Sequence, residues 1–383
     1  MKKSLLALAA LSAFATAAQA QSSVTVYGIL DVGYGVNDVD AGASSASSVK
    51  STGLADSTNA SSRFGVRGTE DLGGGLAAGF TLEAGLNITG GAPFNKTNST
   101  GASSTPQTAT QADSAVFGAA TRQAFMTLGG AKTGTVLVGY KKQLESDFND
   151  TFMIGTENSY GAEGHELNRL GRANQIGYTL PAFGGVTASV GYTTAVAEYS
   201  DATTDAAKKI DADILSANVM YKACNLTVGG HIGSGEVTLG TTSDSEAVIG
   251  SAAVGTVAFA EGVSDYNTSG IGASYDFGVA KVAAMWGKRE TGLSSAAVDT
   301  TYGNIGVAVP MGKTTLKASM SNNKEENAAG VETQKNKGYQ LQADYALSKR
   351  TTAWAIYGSN TKEVSGSADV DSKTTRVGLT HSF

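Results

Sequence analysis

Cysteine is almost missing from the chain. A single one, Cys224, in 383 residues excludes an intramolecular disulfide framework and a four-cysteine metal centre. The three histidines, His165, His231 and His381, are too scattered to suggest a metal site or a catalytic base held by a neighbouring carboxylate. Proline is also scarce, at 4 residues, and charged residues make up only 16%, against roughly 25% in an average soluble protein. Few charges would suit a membrane protein, yet mean hydropathy is -0.08. Beyond the N-terminus no apolar run approaches the ~18 to 20 residues that a spanning helix needs. Twenty-eight basic against 34 acidic residues give a net charge of -6 and an isoelectric point near 5.2, which disfavours nucleic acid as a partner.

What is present begins with a leader. Lys2 and Lys3 form a basic end, Leu5 to Ala18 an apolar core, and Ala18-Gln19-Ala20 a small-x-small cleavage site. Residues 1–20 are therefore expected to be a signal peptide, cut between Ala20 and Gln21, and residues 21–383 the exported domain. An exported chain without membrane helices is either soluble or a barrel whose strands hide their apolarity by alternation.

Alternation runs through the sequence. Leu76, Ala78, Phe80, Leu82, Ala84 and Leu86 fall on one face, with Ala77, Gly79, Thr81, Glu83, Gly85 and Asn87 on the other. The same split of period two sets Leu215, Ala217, Val219 and Tyr221 against Ser216 and Asn218, and Tyr339, Leu341, Ala343 and Tyr345 against Gln340, Gln342 and Asp344. The polar face is small or hydrophilic, which suits water rather than a packed core.

Sixteen such segments can be placed, near 23–34, 63–70, 76–87, 122–129, 134–142, 174–179, 183–192, 214–221, 226–232, 266–277, 280–288, 301–309, 314–321, 338–346, 351–359 and 374–383. Their connections alternate between long and short. Tight turns at one end and large loops at the other are what an outer-membrane barrel requires, and an even count closes the sheet. The expected fold is all-β: a sixteen-stranded antiparallel transmembrane β-barrel. The Ser-, Thr-, Ala- and Gly-rich stretches 41–59 and 97–113 read as exposed loops.

The last segment alternates Val377, Leu379, His381 and Phe383 with Arg376, Gly378, Thr380 and Ser382, and ends on an aromatic. Together with Ser23-Val24-Thr25-Val26-Tyr27-Gly28-Ile29-Leu30-Asp31, the long motif from Ser62-Arg63-Phe64-Gly65-Val66-Arg67-Gly68 to Gly75-Leu76, Arg122-Gln123-Ala124-Phe125, and Asn174-Gln175-Ile176-Gly177-Tyr178 with Pro181, the chain resembles the general-diffusion porins of the beta-proteobacterial type. The resemblance covers the whole exported part. It implies a homotrimer in the outer membrane of a Gram-negative bacterium, among its lipid and lipopolysaccharide. Each barrel would be narrowed by an inward-folded third loop, pass ions and small hydrophilic solutes passively, and need no cofactor or metal. It also implies that Phe383 is read by the outer-membrane assembly machinery.

The charges suggest where permeation is controlled. The long connection after the fifth segment carries Glu145, Asp147, Asp150, Glu157, Glu163 and Glu166, and neighbouring segment ends supply Arg63, Arg67, Lys141, Lys142, Arg169 and Arg172. Arg63 and Arg67 share the parity of Gly65 and Thr69, opposite Phe64 and Val66, and so should face the lumen. Asp147, Asp150 and Glu157 opposed to Arg63, Arg67, Lys141, Lys142 and Arg172 across a slot would create a transverse field biasing ion flow. Two positions depart from the family pattern, Tyr140 and Gly177, where relatives commonly carry basic residues, so the sign of the ion preference stays open.

Other chemistry finds little support. The Gly73-Gly74-Gly75 run precedes a strand pattern, unlike a dinucleotide fingerprint, and Gly312-Lys313-Thr314 lacks the leading glycine of a phosphate loop. Trp286 and Trp354 read as an interfacial aromatic girdle. A solute-specific channel for carboxylates or sugars is the alternative function. A barrel enzyme or an adhesin would need a nucleophile constellation or a separate passenger domain that the sequence does not display.

Overall fold

In a computed structural model the chain is described over residues 22–40, 48–89, 121–155, 172–200, 207–239, 262–292 and 297–383, with only the backbone described for 195–200, 207–211, 238–239 and 262–264. The elements are β1 (Ser23–Asp40), β2 (Val49–Asp56), β3 (Arg63–Gly73), β4 (Leu76–Gly85), β5 (Thr121–Gly130), β6 (Gly134–Lys142), α1 (Leu144–Phe152), β7 (Arg172–Thr179), β8 (Val186–Ser200) and β9 (Ala207–Ala223). They continue with β10 (Leu226–Leu239), β11 (Gly262–Asp276), β12 (Lys281–Gly292), β13 (Val298–Met311), β14 (Thr314–Asn327), β15 (Glu332–Ala346), β16 (Thr351–Val364) and β17 (Val370–Ser382).

Each strand pairs antiparallel with its neighbour in sequence, except that β2 and β3 both pair with β1 and not with each other, and β1 pairs with β17, so the sheet closes on itself. The seventeen segments make sixteen staves, because β2 and β3 lie end to end along the same side of β1. Val49–Asp56 pairs with the second half of β1, and the start of β3 with its first half. Closure removes the sheet edges that hydrocarbon could not hydrogen-bond.

The faces follow the alternation. Leu215, Val219, Leu316, Met320, Leu341, Val377 and Leu379 are exposed on the outside, while Ser216, Ser319, Ser321, Gln340, Gln342 and Thr380 are buried within. Where the chain must reverse in two residues it uses left-handed backbone: Gly73, Gly74 and Gly75 have φ of 82°, 62° and 81°, so that motif is a β-turn with no helix after it.

The structure departs from the sequence expectation in three respects. The stretch 41–59 is more than a loop, since Val49–Asp56 forms β2. Several connections expected to be long are short turns, because β12 to β17 extend well past their apolar portions; Asn327 and Val331, for example, close the turn between β14 and β15. Backbone pairing does not need an apolar face, so strands outrun the hydrophobic signal that betrays them.

Trp354 is the third departure. It points inward and is 3% exposed, unlike the half-exposed Trp286, and so is no part of a girdle. Its ring lies over Gly33 and Gly378, where an added Cβ would come within 2.3 Å, and its Nε1 donates to Asp31 Oδ2 at 3.0 Å.

Candidate functional site: the inner wall and the third loop

The break between β2 and β3 turns inward. Ser57 takes φ 59°, and Ser57, Thr58, Ser61 and Ser62 are buried. Asp31 organises the segment: its Oδ1 accepts from the Asn59 backbone at 2.9 Å, and its Oδ2 accepts from Thr380 at 2.5 Å as well as from Trp354. Asn59 then reaches across to Thr380 and Gln342 at 3.0 and 2.9 Å. This inward fold ties three staves together at the seam where the barrel closes.

A cluster of guanidiniums lines the wall from β3 to β7. Tyr27, Gly65 and Glu83 occupy one row across β1, β3 and β4. Gly65 is required there, since a Cβ would lie 2.4 Å from the Tyr27 ring. Tyr27 donates to Glu83 Oε2 at 3.0 Å, Arg122 Nε meets Glu83 Oε1 at 2.7 Å, and the Arg67 guanidinium stands 5.2 Å from the Tyr27 ring centre. Arg63 and Arg172 lie within electrostatic reach of the same carboxylate. Arg63, Arg67 and Arg172 are thus brought to one patch, together with Arg122, which charge reading of the sequence had not singled out. Among the described residues, Arg63, Arg122 and Arg172 gather near the buried Glu83 carboxylate, and Arg67 stands over the Tyr27 ring that donates to it.

The third loop leaves β6 at Lys142 and immediately forms α1. Gln175 Nε2 donates to the carbonyls of Lys141 and Lys142 at 3.1 and 2.9 Å, fixing the departure point. Leu144, Phe148 and Phe152 recur every fourth residue, which puts them on one helical face. Phe148 and Phe152 are fully buried against Met285 and Tyr302, and His231 lies 4.7 Å from Phe148 between ring centres. At Gly272 a Cβ would come within 2.3 Å of the Phe152 ring, so the wall is hollowed to receive it.

The same face carries Glu145. Arg289 Nη2 meets Glu145 Oε1 at 2.6 Å, Tyr266 donates to Oε2 at 2.6 Å, and Tyr302 donates to Oε1 at 3.2 Å, all of them buried. Burial alone would raise this carboxyl's pKa, but Arg289 and the Tyr266 hydroxyl outweigh it and hold the group below the ordinary glutamate range.

The loop's other acids are placed differently from the expected opposition across a slot. Lys141 Nζ meets Asp147 Oδ2 at 2.5 Å, and Lys142 pairs with Asp150. The helix starts two residues after Lys142, so its first two turns return these aspartates onto the lysines that precede it. The four charges form two local pairs. Glu157, Glu163, Glu166, Arg169, His165, Ala20 and Gln21 lie outside the described residues. Phe383 closes the seam: its N–H donates to the Gly28 carbonyl at 3.1 Å and its carbonyl accepts from Gly28 N–H at 3.2 Å.

Comparison with known proteins agrees with this architecture. A family model described as Gram-negative porin matches residues 7–365. The chain belongs to the Gram-negative porin family. Among curated relatives, an outer membrane porin protein of Bordetella pertussis is 29% identical over the whole of both chains. Outer membrane porin protein 32 of Delftia acidovorans is 30% identical over 94% of this chain and 88% of its own length. Among solved structures, the anion-selective porin from Comamonas acidovorans has a TM-score of 0.66 at 23% identity, covering 95% of this chain and all of that one. This porin is accordingly an outer-membrane channel for ions and small hydrophilic solutes, and not an enzyme. Its antiparallel barrel has the sixteen staves that the alternation predicted.

Proposed function

We propose that the pore favours anions and that the selecting charge sits on the wall formed by Arg63, Arg67, Arg122 and Arg172. The observation that carries this is the excess of guanidinium near Glu83 among the described residues: Arg122 pairs with it, Arg63 and Arg172 lie within its electrostatic reach and Arg67 stands over Tyr27, which donates to it, whereas Asp147 and Asp150 pair with Lys141 and Lys142 and Glu145 pairs with Arg289. Paired charges project little field into an aqueous path, while a cluster with a net excess of one sign acts over roughly a Debye length, about 10 Å at 0.1 M salt. The likeness in fold to the anion-selective porin from Comamonas acidovorans points the same way.

The test is the reversal potential of the refolded protein in a planar bilayer under a KCl gradient. Chloride should permeate more readily than potassium at 0.1 M, less markedly at 1 M, and replacing Arg67 and Arg172 by Gln should weaken the preference. A potassium preference in the unaltered channel would transfer control to carboxylates such as Glu157. In the same reading residues 1–20 are removed between Ala20 and Gln21, the mature chain 21–383 assembles as a homotrimer surrounded by lipopolysaccharide, and Phe383 is recognised by the assembly machinery.

A further inference from the structure

The short-turn end of the barrel carries a positive charge that the arginine wall does not account for. Lys132, Lys222, Lys281, Lys313, Lys349 and Arg350 stand at the short-turn ends of the strands between β5 and β16, and all six are exposed. The acids of the same rim are Glu70, Asp71, Asp276 and the terminal carboxylate of Phe383. Six cations against four anions leave the rim positive, in a chain whose net charge is -6.

The acids are turned aside. Asp71 Oδ1 accepts from Gly73 N–H and Asp276 Oδ1 from Gly278 N–H, both at 2.8 Å, and Glu70 shares the parity of Phe64 and Val66, away from the lumen. Farther in, Lys317 is held by Asp344 at 2.8 Å, whereas none of the six rim cations forms an ion pair among the described residues. Parity aims four of them at the water path. Lys222 follows the buried Ser216, and Lys281 precedes the buried Ala283 and Met285 on the same face. Lys313 and Arg350, whose carbonyls accept from Ala346 and Ser382 N–H at 2.8 Å, continue the inward rows of Ser319 and Trp354.

This rim is well separated from the arginine wall. β3 runs 11 residues from Arg63 to Gly73, so at ~3.3 Å per residue Arg63 lies roughly 30 Å, and Arg67 roughly 20 Å, along the strand from the turn. The Debye length is about 10 Å at 0.1 M salt and about 30 Å at 0.01 M. The two positive regions therefore act separately in strong salt and jointly in weak salt.

We infer that the short-turn rim is a second anion-attracting site of the channel, in series with the arginine wall, with Lys222, Lys281, Lys313 and Arg350 as its determinants. In an outer-membrane porin the short turns face the periplasm, so this is the inner mouth. Passage through one attractive site is limited by escape from it, and a second site beyond it eases that step by letting one ion displace the next. A rim charged at one mouth alone also makes the two directions of flow unequal. The inference rests on the channel reading of the barrel and goes beyond the wall, because the rim is compared with its own neutralised form.

The experiment is single-channel recording of the refolded full barrel in planar bilayers, in symmetric KCl at 10 mM and at 1 M. K222Q/K281Q/K313Q/R350Q should lower the conductance about twofold or more at 10 mM, because a one-signed mouth concentrates counter-ions, and by less than about a tenth at 1 M, where screening shortens to about 3 Å. The current–voltage curve of the unaltered channel should be asymmetric at 10 mM, and less so in the variant. Cys224, exposed in the rim turn that follows Lys222, allows the same test on the unaltered fold. A thiol reagent bearing a sulfonate should lower the 10 mM conductance, and a neutral reagent of equal size should not. Equal conductance of variant and parent at 10 mM would overturn the assignment, as would an equal proportional loss at 1 M, which would mean a narrowed mouth, or equal effects of the two reagents. A potassium preference in the unaltered channel would count against the arginine wall and leave these comparisons as they stand.

Discussion

Replacing Glu145 by Gln should release the third loop without opening the barrel. Glu145 is met by Arg289, Tyr266, Tyr302 and the nearby His231, and its carboxylate is the counter-charge of a fully buried guanidinium. Removing one partner of a buried pair costs about 3–5 kcal/mol, because the other charge is left unsolvated. At 1.4 kcal/mol per factor of ten, that raises the undocked population of the loop by about two to three and a half orders of magnitude. Phe148 and Phe152 oppose release, each contributing roughly 1.5–3 kcal/mol of burial. The expected result is thus intermittent undocking, seen as open-channel current noise, with heat-modifiable gel mobility unchanged. The partner variant separates mechanism from damage. A guanidinium cannot shed its proton, so the E145Q defect should be insensitive to pH. In Arg289→Met the stranded carboxyl can be protonated, so its noise should subside on acidification. In the unaltered protein the sign is the ordinary one for a depressed carboxyl. Docking is fully supported above the usual glutamate range, and the support is lost only as pH falls through the lower folded value. A quiet E145Q channel would refute the view that this pair holds the loop.

Gly272→Val would place a Cβ within 2.3 Å of the Phe152 ring and add two methyls beyond it, so it should displace α1 and produce noise resembling that of E145Q, while Gly278→Ala, at an exposed turn, should not. Trp354→Ala should destabilise the barrel against urea by about 3–5 kcal/mol, because the indole fills the hollow over Gly33 and Gly378 and satisfies Asp31. Unfolding of the protein in lipid vesicles followed by circular dichroism would check it, and a loss under 1 kcal/mol would mean the seam does not depend on this ring.

The outer face was legible in the sequence because lipid imposes one rule on it. Leu215, Val219, Leu316 and Tyr339 are apolar where their parity faces hydrocarbon, and that regularity alone located sixteen staves and their direction. The inner face obeys no single rule. The Glu145 anchor joins residues 121 to 157 positions apart from its nearer and farther tyrosines, a distance no local pattern encodes. The helix that carries it did leave a signal, the fourfold spacing of Leu144, Phe148 and Phe152, but nine residues within a long connection is a short window in which to see it. The inward break at 57–62 left none, because serines and threonines that bind a buried carboxylate have the composition of an exposed loop. The lysines and aspartates at the start of the third loop misled for a related reason: sequence shows that opposite charges are near, not whether they face each other across water or neutralise each other on one helix.

A group of strand glycines follows from the same asymmetry between the faces. A barrel of this girth cannot fill its interior from one layer of side chains, so its large inward residues lie flat along the wall instead of meeting across it, and each needs a neighbour without a Cβ. Tyr27 lies over Gly65, Phe152 over Gly272, Tyr302 over Gly287 and Trp354 over Gly33 and Gly378, all with less than 2.5 Å between the ring and where a Cβ would stand. Glycine costs roughly 0.5–1 kcal/mol in a strand relative to alanine, which the burial of one aromatic ring more than offsets. In this view the glycines set the clearance of the channel. An alanine beneath any of these rings would lift it toward the lumen by about one carbon radius, narrowing the path with no change in charge. Conductance would then fall with selectivity preserved, the opposite of what neutralising Arg67 and Arg172 should do.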